Sequence, residues 1–215
     1  MFHVKHDITY SHLTVDKISQ IKNHFKKHHQ KLFAYVDQLL WWNKKINLIS
    51  REVSRETLMN HVDHSLLITT APLFVSAQRI IDAGSGGGLP GIPLGIVNPD
   101  KEVALNDIVS KKMMACKQMV RKIGVKNVSV NIGSIADFET KRDDLIVSKH
   151  AFKINELIRF LDNKEWMGIM LLKGADEVED ELTGISDSLK IEVKSLEKMD
   201  LSFYKGKAIV EITKK

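Results

Sequence analysis

With 215 residues, of which 43% are apolar and 27% charged, the chain has room for one sizeable domain and a smaller appendage, and disorder is excluded as the default. A single cysteine, Cys116, excludes an internal disulfide and a cysteine metal cluster, and no apolar run approaches the roughly 20 residues of a membrane-spanning helix. The net charge of +5 is uneven: Lys17 to Lys31 holds five lysines and three histidines without an acid, whereas Asp176 to Glu181 holds five acids in six residues. A basic arm beside a neutral body admits a polyanion such as RNA as partner, although a lysine-rich helix face is commonly just solvated surface.

The first residues, Met1-Phe2-His3-Val4-Lys5-His6, lack the apolar centre of a secretory signal, so a soluble cytoplasmic protein is expected. Val15, Ile18, Ile21, Phe25, Leu32, Val36, Leu39 and Leu40 recur at helical spacing and predict one or two amphipathic helices over 15–42. Ser54 is a suitable N-cap for a further helix through Leu58, Val62 and Leu66. Residues 1–75 therefore read as a helical N-terminal region. From Arg79 the texture changes, and strands are expected at 79–83, 102–107, 127–132, 144–148, 167–173, 190–196 and 207–213. Helices are expected at 90–98, 110–123 (closed by Gly124) and 152–162. Alternating strands and helices predict an α/β domain over 76–215, built on a parallel sheet covered on both faces. The last two strands have little helix-forming sequence between them and are expected to pair antiparallel at the sheet edge.

Six of the twelve glycines lie between Gly84 and Gly95, at the turn where the run Ile80-Ile81-Asp82 ends and an apolar segment resumes. Glycine is costly in ordered elements and useful where backbone approaches a ligand or takes positive φ, so this turn reads as a cofactor loop. Two patterns overlap in it. Gly86-x-Gly88-x-x-Gly91 fits a dinucleotide fingerprint, with Asp107 about 20 residues on. Asp82-x-Gly84-x-Gly86-x-Gly88 fits the loop of S-adenosylmethionine-dependent methyltransferases, with Asp107 again placed to accept from ribose hydroxyls. The second pattern is favoured by Asp82, which can hold the loop or meet the cofactor's amino group, and by the antiparallel pair expected at the end. Pro90 and Pro93 favour it too, since they should interrupt a helix meant to carry pyrophosphate. The cofactor loop is thus Asp82, Gly84, Ser85, Gly86 and Gly88, with Asp107 across from it.

Trp42-Asn43-Lys44-Lys45-Ile46-Asn47-Leu48-Ile49-Ser50, His61-Val62-Asp63-His64-Ser65-Leu66, Asp82 to Leu94 and Leu172-Lys173-Gly174 resemble, in order, blocks of one family. It is the ribosomal RNA small subunit methyltransferase G family, also called glucose-inhibited division protein B. The resemblance covers nearly the whole chain after about residue 30. It implies a Rossmann-like, seven-stranded class I methyltransferase sheet with a helical N-terminal extension. The implied activity is methyl transfer from S-adenosylmethionine to N7 of a guanine in 16S rRNA; the partner expected is 16S rRNA or the small ribosomal subunit, and a monomer is expected. Position by position, Gly84 and Leu89 match cofactor contacts, Ile135 and Ala136 the pair near the adenine, and Lys149 a position where the family usually has arginine. Lysine keeps the charge there and loses the planar fork. Ser134 and Ala136 stand where the family commonly has arginine and glutamate, and His64 where many members have aspartate.

Guanine N7 carries an in-plane lone pair, so its methylation needs no proton removal and positioning is the main catalytic contribution. No catalytic residue is assigned. Cys116 falls on a predicted helix, where a small packing residue is expected rather than a nucleophile. His61 and His64 lie three apart on a helix, with no third ligand for a metal; hydrogen bonding beneath the cofactor site is expected of them. Trp41 and Trp42 can stack on bases, although aromatic residues closing an amphipathic helix are usually core. Arg51, Lys111, Lys112 and Lys173 are the candidates for RNA phosphate contact. Two other functions remain open on the residues: a nicotinamide-dependent oxidoreductase using the same loop, and a non-catalytic RNA-binding or assembly protein on the same fold.

Overall fold

The computed structural model describes residues 7–14, 16–50, 52–199 and 202–215. The chain opens with strand β1 (Asp7–His12), followed by helices α1 (Asp16–Ile46), α2 (Arg55–Leu66) and α3 (Pro72–Ser76). Next come β2 (Arg79–Ala83), α4 (Gly91–Val97), β3 (Glu102–Asp107), α5 (Ser110–Ile123) and β4 (Val128–Ile132). The last elements are β5 (Asp144–Lys149), α6 (Ile154–Phe160), β6 (Gly168–Gly174), α7 (Val178–Glu181), β7 (Leu189–Ser195) and β8 (Lys207–Lys214).

Among the described residues the strands form one eight-stranded sheet in the order β1-β7-β8-β6-β5-β2-β3-β4. All pairs are parallel except those of β8, which runs antiparallel to β6 and β7. The seven expected strands all appear, and β7 and β8 pair antiparallel as expected. Two points differ. Residues 7–12 were expected within a helical region and instead form β1, in register with β7 from Asp7–Lys190 to His12–Ser195. Ile8, Thr9 and Tyr10 are strand-favouring residues. β1 also takes the edge, so β7 is an interior strand.

Alternate strand residues feed two cores, as a period of two requires. Ile80, Leu145, Val147, Met170 and Leu172 face a core shared with α1, α2, α4 and α5, whereas Ile81, Ile146, Ile169 and Leu171 face α6 and α7. Helix α1 is one continuous helix. Within its apolar stripe Leu32, Tyr35, Val36 and Leu39 are fully buried where the helix packs on α2, α4 and α5, worth about 2 kcal/mol per large side chain. Lys44 and Lys45 complement the dipole of its last turn. Asn47 (φ 45) then turns the chain, and the Asn43 side chain pins the following loop, accepting from Ile49 N at 2.9 Å and donating to Ser50 O at 2.8 Å. Ser54 caps α2 as expected, accepting from Thr57 N at 3.0 Å. Gly124 closes α5 in the left-handed region (φ 71).

Candidate active site

Strand β2 leaves the sheet centre between β3 on one side and β5 on the other. The connections diverge there, and in open α/β sheets the crevice beyond the carboxyl ends of such strands is where ligands bind. A cavity of about 620 Å³ opens at that point, bordered by Gly84, Gly86, Asp107, Ile135 and Lys149 among the expected residues. A second lobe of about 430 Å³ shares Gly84, Gly86 and Lys149 and adds Ser85 and Leu89.

The glycine loop is fully hydrogen-bonded where its donors can be traced. Gly84 N and Ser85 N donate to Asn106 O at 2.8 and 3.0 Å, and Gly88 N donates to Ser85 O at 2.7 Å. Gly86 N donates to Asp107 Oδ2 at 2.9 Å, while Asp107 Oδ1 accepts from Val109 N at 2.9 Å. Ser85 is a buried latch, its hydroxyl donating to Asp82 O at 2.7 Å. Gly84 takes φ +70, and a Cβ there would lie 2.4 Å from the Ala151 Cβ. Only glycine lets the loop pass so close to the segment after β5.

Asp82 is fully buried, and its Oδ2 accepts from Gly91 N at 2.9 Å. It holds the loop to the start of α4 and borders neither lobe. Its Oδ1 is buried without a partner. Burial pushes its pKa up to about 7, against the Gly91 and Ser85 hydrogen bonds that favour the carboxylate.

The prolines act otherwise than expected. Pro90 is the N-cap of α4 and Pro93 lies in its first turn, where a missing N–H costs nothing, so neither interrupts the helix. The pyrophosphate argument survives on a different ground. Gly91 N is taken by Asp82, Ile92 N donates to Gly88 O at 2.8 Å, and Pro93 has no donor. The first turn of α4 thus has no amide to offer a phosphate.

The opposite wall is basic. Lys149 Nζ donates to His61 Nδ1 at 2.9 Å. Because an ammonium only donates, this contact fixes His61 as the Nε2–H tautomer. Burial first, then the Lys207 charge, lowers the Lys149 pKa to about 8. Burial, then Lys149, lowers both His61 and His150 to about 4. His150 adopts φ 52, which turns the chain at the end of β5. His64 was expected to hydrogen-bond beneath the site, yet both its ring nitrogens are buried without a partner. It packs edge-on against Phe203 and Tyr204 at 6.1 and 6.0 Å.

Gly88 and Ala136 border neither lobe. Gly88 (φ +93) is a packing glycine whose Cβ would lie 2.4 Å from the Ile92 side chain. Of the expected RNA contacts, Lys112 borders the larger lobe and Lys111 is exposed beside it. Arg51 lies outside the described residues. Lys173 is corrected: it is 4% exposed and pairs with Glu181 at 2.8 Å and Glu177 at 3.4 Å. A phosphate would have to displace a buried ion pair to reach it.

Several site residues escaped the sequence. Tyr35 on α1 donates to Gly87 O at 3.0 Å, tying the N-terminal helix to the loop. Asn106, His150 and Phe152 line the larger lobe, and Ile108, 72% exposed, forms its lip. An apolar pair directly after Asp107 was the available signal for that lip. Cys116 is buried, as expected of a packing residue, and its Sγ lies 3.4 Å from Gly86 O. Burial raises its thiol pKa, so it carries no thiolate.

The family model described as rRNA small subunit methyltransferase G matches residues 28–209. The chain is similar to the ribosomal RNA small subunit methyltransferase G of Chlorobium phaeobacteroides, 35% identical over 150 residues, covering 69% of this chain and 68% of that protein. The Vibrio atlanticus protein of the same name is 31% identical over 181 residues, covering 80% and 85%. The Chlorobium luteolum protein is 37% identical over 130 residues, which span 55% of its length. Among solved structures, a SAM dependent methyltransferase from Aquifex aeolicus has a similar fold, with TM-score 0.53, 17% identity and coverage of 72% and 92%. So has a ribosomal protein L11 methylase from Lactobacillus delbrueckii subsp. bulgaricus, with TM-score 0.53, 19% identity and coverage of 73% and 79%.

Proposed function

The chain belongs to the rRNA small subunit methyltransferase G family, and from that membership we propose that it transfers a methyl group from S-adenosylmethionine to N7 of a guanine in 16S rRNA. The observation that carries this is the convergence of the glycine loop and Asp107 on one cavity at the carboxyl ends of β2 and β3. The residues present fit that cofactor. Gly84 supplies the bare backbone a close ligand needs, and Asp107 stands at the end of β3 as an acceptor for ribose hydroxyls. A dinucleotide fits less well, because the amides that would meet pyrophosphate are already bonded within the chain. When bound, S-adenosylmethionine supplies an electrophilic methyl on a sulfonium centre.

The chain's own contribution is positioning. Asp82 and Ser85 hold the loop rigid from beneath, and Tyr35 braces it from α1. Lys149, whose neutral partner His61 leaves its charge unopposed, is the donor for the cofactor's carboxylate. Guanine N7 gives up no proton, and the buried Cys116 is no nucleophile. Ile108 and Phe152 give the cavity apolar surface for the adenine. Ile135 borders the same cavity. Lys111 and Lys112 meet RNA phosphate at the cavity mouth. Among the described residues no helix is long and apolar enough to cross a membrane. The setting proposed is the cytoplasm, with the chain acting as a monomer on 16S rRNA or the small subunit.

Two measurements test the reading. Calorimetry should show S-adenosylmethionine binding; tight NAD binding without it would make the chain an oxidoreductase. Mass spectrometry of 16S rRNA from a strain lacking the gene should show one N7-methylguanine fewer. An unchanged content would leave only a binding or assembly role.

A further inference from the structure

We propose that the exposed face of α5, together with a cleft around Trp41, is a docking track for unpaired RNA leading away from the cavity. This deepens the rRNA reading and rests on it. Helix α5 carries Lys111, Lys112, Lys117, Arg121 and Lys122 and no acid in its 14 residues. Among the described residues none of these five cations pairs with a carboxylate. Helical spacing sets Lys111, Met114, Gln118 and Lys122 on one face, and all four are exposed. The row begins at the cavity, which Lys112 borders, and runs roughly 16 Å along the helix.

At its far end α5 meets α1 around a cleft of about 500 Å³, lined by Gln38, Trp41, Trp42, Gln118, Arg121 and Lys122. Trp41 is 50% exposed, an unusual cost for so large an apolar ring unless a partner covers it. Its edge is fixed against Trp42, with ring centroids 4.9 Å apart and planes at 89°. Lys45 Nζ lies 4.4 Å from its centroid. A held aromatic ring with Lys45 over one face, and Arg121, Lys122 and two glutamines but no acid in the lining, match the chemistry of a stacked base and its flanking phosphates. The cleft shares no lining residue with either lobe of the cavity, so it contributes to RNA affinity and not to the cofactor site.

The test uses the full chain and a fluorescein-labelled, unpaired RNA 12-mer, with S-adenosylmethionine affinity measured on every variant as a check on the fold. Trp41→Ala should weaken RNA binding about 5- to 150-fold, the range that loss of one stacked base implies, and Trp41→Phe should restore it to within about threefold. Arg121→Ala/Lys122→Ala should lower the slope of log affinity against log salt by about 1.4, two phosphate contacts on a single strand. The surface pair keeps the proposal testable should Trp41→Ala fail to fold. Unchanged RNA binding in both variants overturns the track. So does equal binding of a duplex, or binding to anionic phospholipid vesicles that falls with the same variants while RNA binding does not. Failure of the methyltransferase reading would look different: the wild-type chain would bind no S-adenosylmethionine, whatever its affinity for RNA.

Discussion

The two walls of the cavity are built on opposite principles. The wall made by β2 and β3 uses acids to hold backbone: Asp82 Oδ2 accepts from Gly91 N, and the two oxygens of Asp107 accept from Gly86 N and Val109 N. The wall made by α2 and the end of β5 uses bases that hold one another, Lys149 on His61, with His150 beside them and no acid near enough to hold the Lys149 pKa up. Burial drives each wall toward its neutral form, lifting Asp82 and lowering Lys149, His61 and His150. The first wall is therefore preformed, whereas the second holds a charge in search of an anion. Shape belongs to one wall and attraction to the other.

The sharpest way to break this contrast is to remove the shape. Gly84→Ala combines a left-handed backbone with a methyl 2.4 Å from the Ala151 Cβ. The conformational and overpacking costs sum to about 2–5 kcal/mol. Urea unfolding should show that loss, and calorimetry should show S-adenosylmethionine binding abolished. Affinity within twofold of wild type would mean the loop is not the preformed wall. Asp107→Ala is next, at about 1–3 kcal/mol in cofactor affinity, the scale for a hydrogen bond to a charged group. Unchanged affinity would remove Asp107 from the site and leave it only a brace for Gly86 and Val109.

Tyr35→Phe sharpens the same point from outside the loop. It strips the donor from Gly87 O at a buried site and should cost about 1–2 kcal/mol in urea unfolding. A loss below about 0.3 kcal/mol would mean α1 packs on its neighbouring helices without bracing the loop.

The contrast also explains what could be read from the sequence. The acid wall is local: Asp82 lies two residues before Gly84, and the acid, the glycines and the prolines sit in one contiguous block. The strands from β2 onward were legible for the same reason, because buried parallel strands are continuous apolar runs bounded by turns. The basic wall was legible only in its parts: the family resemblance pointed to Lys149 and a hydrogen-bonding role was expected of His61, but their contact was not, since they stand 88 positions apart and only the fold brings them together. Strand β1 escaped likewise, its register with β7 spanning the length of the chain. Lys173 carried a signal that was passed over: Glu177 lies four residues on, the spacing of an ion pair rather than of a free phosphate contact. Pro93 was misread because a proline within the first helical turn removes no hydrogen bond.

The smallest predicted effect is the one that separates the walls by sign. Asp82 has its pKa raised in the folded state, to about 7, so the folded chain takes up that proton first as pH falls. Stability from this group therefore rises as pH drops from about 7 toward the ordinary carboxylate range, and Asp63, raised to about 6 by burial, acts in the same direction. His61 and His150 have theirs lowered to about 4, so the unfolded chain is protonated first. Their contribution is lost as pH falls from the ordinary histidine value of about 6.5 to about 4, on the order of 1 kcal/mol after allowance for the partial exposure of both rings. In the wild type the two slopes oppose one another. Asp82→Asn removes one rising term and should steepen the acid loss in urea midpoints measured from pH 7.5 to 4.5. The double variant His61→Asn/His150→Asn should flatten it, the acid loss that remains falling to the buried His64, whose pKa burial also holds well below the ordinary histidine value. Parallel profiles for the two variants would mean that neither wall carries the titration, and that the opposition of acid and base across the cavity has no energetic content.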